Sequence, residues 1–125
     1  MILPLLLLVA APADCANAVT QSEMTGCARA EAEAASRALD AQWATTLAAM
    51  REKDVAEGLT GNADGYAQTL IASQQSWAQY REMQCRLESF EMRGGTAAPM
   101  IEYGCKARLT RERTAALRDL AEMAQ

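Results

Sequence analysis

The sequence predicts an all-α protein, a small antiparallel three-helix bundle cross-linked by two disulfides. Three observations lead to this prediction. Apolar residues recur at spacings of three and four along most of the chain, as on the buried face of a helix. Two glycine-containing segments divide that pattern into three parts, and short loops between long helices make neighbouring helices antiparallel. The 125 residues also include four cysteines, an even number that suits disulfides.

Residues 1–13 are predicted to be a signal peptide, and residues 14–125 are predicted to form the helical domain. The first segment has an apolar run from Ile2 to Ala11 and ends in the small-residue triplet Ala11-Pro12-Ala13, which is typical of a cleavage site. The run is too short to span a bilayer core of about 30 Å as a helix. We therefore expect a periplasmic or secreted protein with no stable membrane insertion after cleavage.

The first predicted helix begins after Thr20. Thr20 and Glu23 have the spacing of a capping box, in which each side chain accepts a hydrogen bond from the backbone N–H of the other residue. The helix is predicted to end near Glu57, because the segment from Gly58 to Gly65 contains three glycines and turn-forming Asn and Asp. Its apolar face consists of Met24, Ala28, Ala32, Ala35, Leu39, Trp43, Leu47 and Met50.

The second predicted helix runs from about Tyr66 to Met92, and Gly94-Gly95 ends it. The third runs from about Ala97 to Met123, with Thr96 in position to cap it. The inner stripe of the second helix consists of Leu70, Gln74, Trp77, Arg81 and Cys85. Pro99 falls in the first turn of the third helix, where its missing N–H costs little, and the inner face continues with Leu109, Ala116, Leu120 and Met123.

The four cysteines are predicted to form two disulfides, because export places them in an oxidising compartment. Successive cysteines are 12, 58 and 20 residues apart, and none of these gaps matches the paired spacing of a zinc site. Cys15 and Cys27 lie within reach of each other across the start of the first helix. Cys85 and Cys105 flank the turn at Gly94-Gly95. We favour these two pairings, while crossed pairings that join Cys15 to Cys85 or Cys105 stay open.

Composition excludes several classes of function. The chain has 12 Lys and Arg against 16 Asp and Glu, a formal net charge of −4, and it contains no histidine. Without histidine there is no His-dependent catalytic triad and no imidazole base near neutral pH. The acidic balance lacks the attraction that nucleic-acid binding requires. We therefore expect a protein that is not an enzyme and has no cofactor, no metal and no nucleic-acid partner.

The acidic side chains of the first helix are predicted to lie on solvent-exposed faces. A glycosidase would need two carboxyl groups across a cleft, and a narrow bundle offers no evident cleft. The residues concerned are Glu31, Glu33, Asp40, Glu52, Asp54 and Glu57.

Three sequence elements, taken in order, carry a family resemblance. They are the run from Asp14 to Met24 with Cys27; then Leu70, Gln74, Trp77, Arg81 and Cys85; and then Gly94-Gly95-Thr96 through Met100 to Cys105, Thr110, Arg113 and Leu117. These elements resemble those of the lysozyme inhibitor LprI-like N-terminal domain family and cover nearly the whole mature chain. The resemblance implies an exported envelope protein that binds a lysozyme-type hydrolase.

One position departs from the family pattern. Where the family has an acidic residue in the first helix, this chain has Ser36, so an ion pair with the second-helix arginine would be absent. Asp40, one turn further along, is the predicted replacement as the partner of Arg81.

Gln74, Trp77 and Arg81 are candidates for a recognition patch, because Trp and Arg are favoured at interfaces. Their position on the periodic inner stripe favours instead a structural role, in which Trp77 fills the core and Arg81 hydrogen-bonds a neighbouring helix. We expect the same structural role for Trp43.

The loop that contains Gly58, Asn62 and Asp64 is the predicted contact site, because loops on rigid scaffolds often carry binding. Two functions fit this picture. The first is a binding protein that occludes a basic lysozyme-type hydrolase, with opposite charges accelerating encounter. The alternative is a non-catalytic structural or accessory periplasmic module that binds an unrelated envelope partner.

Overall fold

The structure is a computed structural model and describes residues 14–125. Three long helices contain most of these residues. They are α1 (Gln21–Glu57), α2 (Tyr66–Ser89) and α3 (Ala98–Met123), and two short 3-10 helices cover Cys15–Asn17 and Phe90–Met92. The all-α prediction is confirmed. The predicted signal peptide, residues 1–13, lies outside the described residues. No helix within residues 14–125 has the length and apolar character needed to cross a membrane.

The capping box predicted at the start of α1 is confirmed. The Thr20 hydroxyl accepts from the Glu23 N–H at 3.1 Å, and the Glu23 carboxylate accepts from the N–H groups of Val19 at 2.9 Å and Thr20 at 3.1 Å. These bonds, led by that from Val19, hold the pKa of Glu23 below its ordinary value. The helix ends at Gly58, which adopts the left-handed conformation with φ +72° that favours glycine.

The turn between α2 and α3 differs from the prediction at both ends. Helix α2 ends at Ser89, and the residues up to Met92 form a 3-10 helix. Thr96 does not cap α3: the N-cap is Ala97, and no side chain bonds the first turn. The prediction was wrong because the backbone itself closes the turn, where the Ala98 N–H bonds the Gly95 carbonyl at 3.4 Å.

The helices run up, down and up, as predicted, so α1 and α3 are parallel and α2 is antiparallel to both. Helix α1 packs more extensively along α3 than along α2. The Thr46 hydroxyl, fully buried, donates to the Leu117 carbonyl at 2.8 Å, and near the other end the Arg29 Nε donates to the Tyr103 hydroxyl at 3.2 Å. These bonds set the register of α1 against α3.

The core is small and has two parts. Its larger cluster consists of Leu39, Met50, Ala67, Leu70 and Leu117, with Trp43 and Trp77 packed against it but only partly buried. The predicted inner face of α3 was partly wrong: Ala116 and Met123 are exposed, and Leu117 is the residue that points fully inward. Helix α3 contacts both α1 and α2, so it buries residues on a face wider than a single periodic stripe. The prediction assumed one stripe.

Both favoured disulfides are present, and the crossed pairings are excluded. Cys85–Cys105 joins α2 to α3 and is buried, with Leu109, in the second core cluster. Cys15–Cys27 holds the short N-terminal segment against α1 and lies nearer the surface. The two bonds therefore restrain the same end of the bundle, opposite the loop that joins α1 to α2.

Candidate protein-binding surface

The loop between α1 and α2, residues 58–65, is ordered by its own hydrogen bonds. The Asn62 N–H donates to the Leu59 carbonyl at 2.9 Å, and the Gly65 N–H donates to the Asn62 carbonyl at 3.0 Å. The Asn62 side-chain oxygen also accepts from the Asp64 N–H at 2.8 Å, a local turn that asparagine favours. The predicted contact residues Gly58, Asn62 and Asp64 are all exposed on this fixed loop.

Asp54, in the last turns of α1, caps the start of α2. Its carboxylate oxygens accept from the N–H groups of Tyr66 at 2.7 Å and Ala67 at 3.1 Å. The N-cap of α2 is Gly65, which has no side chain, so the preceding helix supplies the acceptor. The prediction of an exposed Asp54 is wrong, because this capping role requires the carboxylate to be buried against α2.

Gly65 is needed for close approach of the backbone to that carboxylate. Its φ of −72° is open to any residue. A Cβ at this position would lie 2.9 Å from the Asp54 Oδ1 and 3.1 Å from the Asn62 carbonyl oxygen. A side chain here would therefore displace the cap of α2.

A groove of about 480 Å³ opens beside the loop, where the start of α2 meets the end of α3. Its floor is mainly apolar and continuous with the larger core cluster. The carboxylate of Asp64 lies at the loop side and has no ion pair within residues 14–125. The lining residues are Met50, Leu59, Asp64, Gly65, Tyr66, Thr69, Leu70, Ser73 and Leu120. We call this site the loop-end groove.

Tyr66, at the edge of the loop-end groove, is held by side chains of α1. Its hydroxyl donates to Glu57 at 3.2 Å, and the Lys53 ammonium lies 4.9 Å from the centre of its ring. Lys53 also pairs with Glu57 at 3.2 Å, and this bond is the main reason why the pKa of Lys53 is raised. The ring is thus held in place by contacts within the chain.

Gln74, Trp77 and Arg81 face their own bundle. Gln74 accepts from the Arg113 Nε at 2.8 Å, and Trp77 packs on the larger core cluster. Arg81 lies over the Trp77 ring at 4.9 Å and donates to the Thr110 hydroxyl at 3.2 Å. These contacts favour a structural role over a recognition patch.

The predicted ion pair between Asp40 and Arg81 is not formed. Arg81 pairs with Glu82 at 3.1 Å, while Asp40 is exposed on α1 and makes no ion pair within the described part of the chain. The prediction was wrong because Asp40 follows the buried Leu39 and faces solvent, while the Arg81 guanidinium is directed to Thr110 of α3 and to Glu82.

Glu82 links Arg81 to α3 through Lys106, at 3.1 Å. Burial alone would raise the pKa of Glu82, but hydrogen bonding and attraction from Lys106 outweigh it and lower that pKa. Burial likewise opposes the charge on Lys106, and its bonds to Glu82 and Glu102 outweigh burial and raise the pKa of Lys106.

The outward face of α2 carries an apolar row that the sequence analysis missed. Tyr80, Met83 and Leu87 are exposed on α2, as is Phe90 at the start of the 3-10 helix that follows, and we call these four residues the α2 stripe. Their spacing of three and four residues was visible in the sequence, offset from the inner stripe that ends at Cys85. A prediction that gives each helix a single apolar face does not include this second row.

No group of acidic or cysteine side chains within residues 14–125 has the arrangement of a metal site. All four cysteines are taken up in disulfides. The surface features that the described residues do form are the loop-end groove and the α2 stripe.

Comparison with known proteins identifies the family. Residues 13–117 match the sequence profile of the family described as lysozyme inhibitor LprI. The chain belongs to the lysozyme inhibitor LprI family. An uncharacterized protein of Rhizobium meliloti (strain 1021) is 39% identical over 131 aligned positions, which cover 98% of this chain and 94% of the relative. No solved structure matches the chain significantly.

The LprI match includes both disulfides, the loop 58–65 and nearly all of the loop-end groove. Of the residues that line the groove, Leu120 alone lies beyond the matched segment. The groove is thus part of the LprI-type domain.

Proposed function

We propose that this protein is exported and inhibits a basic lysozyme-type peptidoglycan hydrolase by occlusion, without catalysis of its own. The observation that carries the proposal is membership of the lysozyme inhibitor LprI family over residues 13–117. The loop-end groove is the proposed contact site, with Gly58, Asn62 and Asp64 at its loop side.

The groove has the chemistry that a basic partner needs. A lysine or arginine side chain packs its aliphatic stem on an apolar floor such as that formed by Leu59, Tyr66 and Leu70, and places its charge at the rim. Asp64, exposed and free of ion pairs within residues 14–125, is the carboxylate at that rim. Because the loop is already hydrogen-bonded, binding loses little conformational entropy.

Charge and disulfides support the same proposal. A net charge of −4 attracts a basic hydrolase and raises the rate of encounter. Two disulfides with no free cysteine in the described chain suit the periplasm or the cell exterior, where thiols are oxidised. The predicted signal peptide, residues 1–13, would direct the chain there.

The test is an assay of peptidoglycan clearing by a basic lysozyme in the presence of excess purified protein. We expect the clearing rate to fall, and the inhibition to weaken as salt is raised, since salt screens the charges. Asp64→Lys should weaken inhibition about tenfold or more, because it puts like charge against the partner. The matched control is Asp40→Lys, which makes the same change of charge on an exposed site far along α1 and should inhibit as the parent does.

Undiminished clearing in excess protein would reject the proposal for the enzyme tested. Equal loss in Asp64→Lys and Asp40→Lys would reject the groove as the contact site while leaving charge attraction in place. Co-purification of a different envelope protein, with no inhibition, would favour the accessory-module alternative.

A further inference from the structure

Arg113 of α3 lies at the end of the loop-end groove that is farthest from the loop. Its Nη2 group donates to the Ser73 hydroxyl at 3.1 Å, and Ser73 is the last residue of α2 that lines the groove. Arg113 also precedes Leu120, another lining residue, by seven positions, so these two residues occupy the same face of α3. The groove therefore has a carboxylate at one end, that of Asp64, and a guanidinium at the other.

The positive charge of Arg113 is not balanced by a carboxylate within residues 14–125. Its acceptors there, the Ser73 hydroxyl and the Gln74 amide oxygen at 2.8 Å, are neutral, and it forms no ion pair. Helix α2 has no acidic residue before Glu82. Arg113 is partly buried, and burial lowers its pKa by disfavouring the charged form. An unbalanced charge at the edge of a groove favours an anionic group supplied from outside the chain.

A short extended peptide spans the distance between the two charged ends. From Tyr66 to Ser73 the lining of α2 rises about 10 Å, and Asp64 and Arg113 lie at the two ends of this stretch. In an extended segment of five residues, the first, third and fifth side chains point to the same side, and the outer two are about 13 Å apart. A basic, an apolar and an acidic side chain at these positions would face Asp64, the apolar floor and Arg113 in turn.

We propose that the loop-end groove binds an extended protein segment with a basic residue, an acidic residue four positions from it and an apolar residue midway between them. Asp64 binds the basic side chain, and Arg113 binds the carboxylate. The inference rests on the proposed function for the choice of contact site, and it adds the charge pattern of the partner segment. A segment with basic residues alone should bind less tightly.

Peptide titrations followed by NMR test the proposal without a hydrolase. The probe is the peptide Lys-Ala-Leu-Ala-Glu with blocked ends, and the comparison peptide has Gln in place of Glu. We expect the probe to bind with a Kd on the order of 1 mM and to shift the backbone amide signals of Asp64 and Ser73. The comparison peptide should bind about fivefold more weakly, because it lacks the charge that Arg113 attracts.

Two arginine variants show which residue causes the preference. Arg113→Gln should remove the preference for the probe and leave the affinity for the comparison peptide nearly unchanged. The matched control is Arg118→Gln, which removes an exposed arginine of α3 that does not line the groove, and it should keep the preference. Because the preference is measured first in the parent protein, the test does not depend on the stability of a variant.

Equal affinities of the two peptides for the parent protein would overturn the proposal. It would also be overturned by a preference that Arg113→Gln leaves intact, or by a probe that shifts neither Asp64 nor Ser73.

The hydrolase assay separates this inference from the proposed function. Inhibition of the hydrolase together with equal binding of the two peptides would reject the charge pattern and leave inhibition in place. A preference for the probe without inhibition would retain the charge pattern and reject the tested hydrolase as the partner.

Discussion

Gly65 and Gly104 show how differently two glycines contribute to one fold. A methyl group at Gly104, within α3, meets nothing within 4 Å, whereas a methyl group at Gly65 meets the Asp54 carboxylate at 2.9 Å. We predict that Gly65→Ala lowers the free energy of unfolding by about 1–3 kcal/mol through overpacking. Gly104→Ala should raise it by about 0.5–1 kcal/mol, because alanine favours helix. Urea unfolding of both variants measures the difference, and equal effects would contradict the close approach at Gly65.

We expect the removal of Arg81 to destabilise the fold, and the removal of Asp40 to have little effect. Arg81 contacts Trp77, Glu82 and Thr110, so we predict that Arg81→Ala lowers the free energy of unfolding by about 1–3 kcal/mol. Asp40→Ala should change it by less than about 0.5 kcal/mol, as for other surface substitutions. Thermal or urea unfolding measures both variants. An equal loss of unfolding free energy in the two would contradict the structure and support the ion pair between Asp40 and Arg81.

For individual residues, the sequence predicted which face of a helix they occupy, but it did not predict which side chains they contact. Periodicity placed Gln74, Trp77 and Arg81 on the inner side of α2, and they lie there. The partner of Arg81 depends on the register between helices, which rests on contacts such as that of Thr46 with Leu117, far apart in sequence. The loop-end groove escaped prediction for the same reason, since its lining comes from all three helices.

The beginning of α2 depends on a side chain of α1. We predict that Asp54→Ala costs about 2 kcal/mol, because two N–H groups of the first turn lose their acceptor. Asp54→Asn should cost less, since the amide oxygen still accepts one bond. The control is Glu52→Ala, an exposed acidic position two residues earlier on α1, with an expected change below about 0.5 kcal/mol. Thermal unfolding compares the three, and a neutral Asp54→Ala would contradict the cap.

Helix ends were predictable wherever the capping residue is local in sequence. The capping box of Thr20 and Glu23 and the left-handed Gly58 follow directly from residue type, and α1 begins and ends as expected. The start of α2 is capped from twelve residues away, which local rules do not detect. Thr96 is the opposite case. Its residue type suits capping, but it does not cap α3, because the Ala98 N–H bonds the Gly95 carbonyl and the backbone closes the turn itself.

The whole molecule should be most stable at intermediate pH, where its carboxylates are ionised and its lysines are still protonated. Glu82 has a lowered pKa, so the stability it contributes is present above the ordinary 4.5 and is lost as pH falls through the folded-state value. Lys106 has a raised pKa, so its contribution is present below 10.5 and is lost as pH rises through its folded-state value. Because Glu82 and Lys106 are paired, we predict that Glu82→Gln makes the loss of stability less steep at both low and high pH.

Unfolding measured from about pH 2 to 11 tests this dependence. Glu122→Gln, on the exposed face of α3, is the control and should leave the profile as it is. An unchanged profile in Glu82→Gln would show that the link between Glu82 and Lys106 contributes nothing measurable.

The fold of the whole chain was more predictable than its surfaces. Three helices and their order follow from periodicity and glycine positions. Reach favoured the two disulfides that are present, but the crossed pairings stayed open until the structure excluded them. Surfaces depend on how the helices pack against one another, which the sequence alone does not give. The α2 stripe is exposed because α2 buries the opposite face, which carries Cys85, against α3.

The cap that Asp54 provides has a consequence for motion. Because the bonds to Tyr66 and Ala67 join the last turns of α1 to the first turn of α2, neither end can fray without releasing the other. The loop and both flanking turns should therefore open as one cooperative unit, and their amide hydrogens should exchange with solvent at a common rate. A partner held in the loop-end groove would slow that shared opening, so hydrogen exchange at Tyr66, which lines the groove, and at Ala67 beside it would report occupancy of the groove.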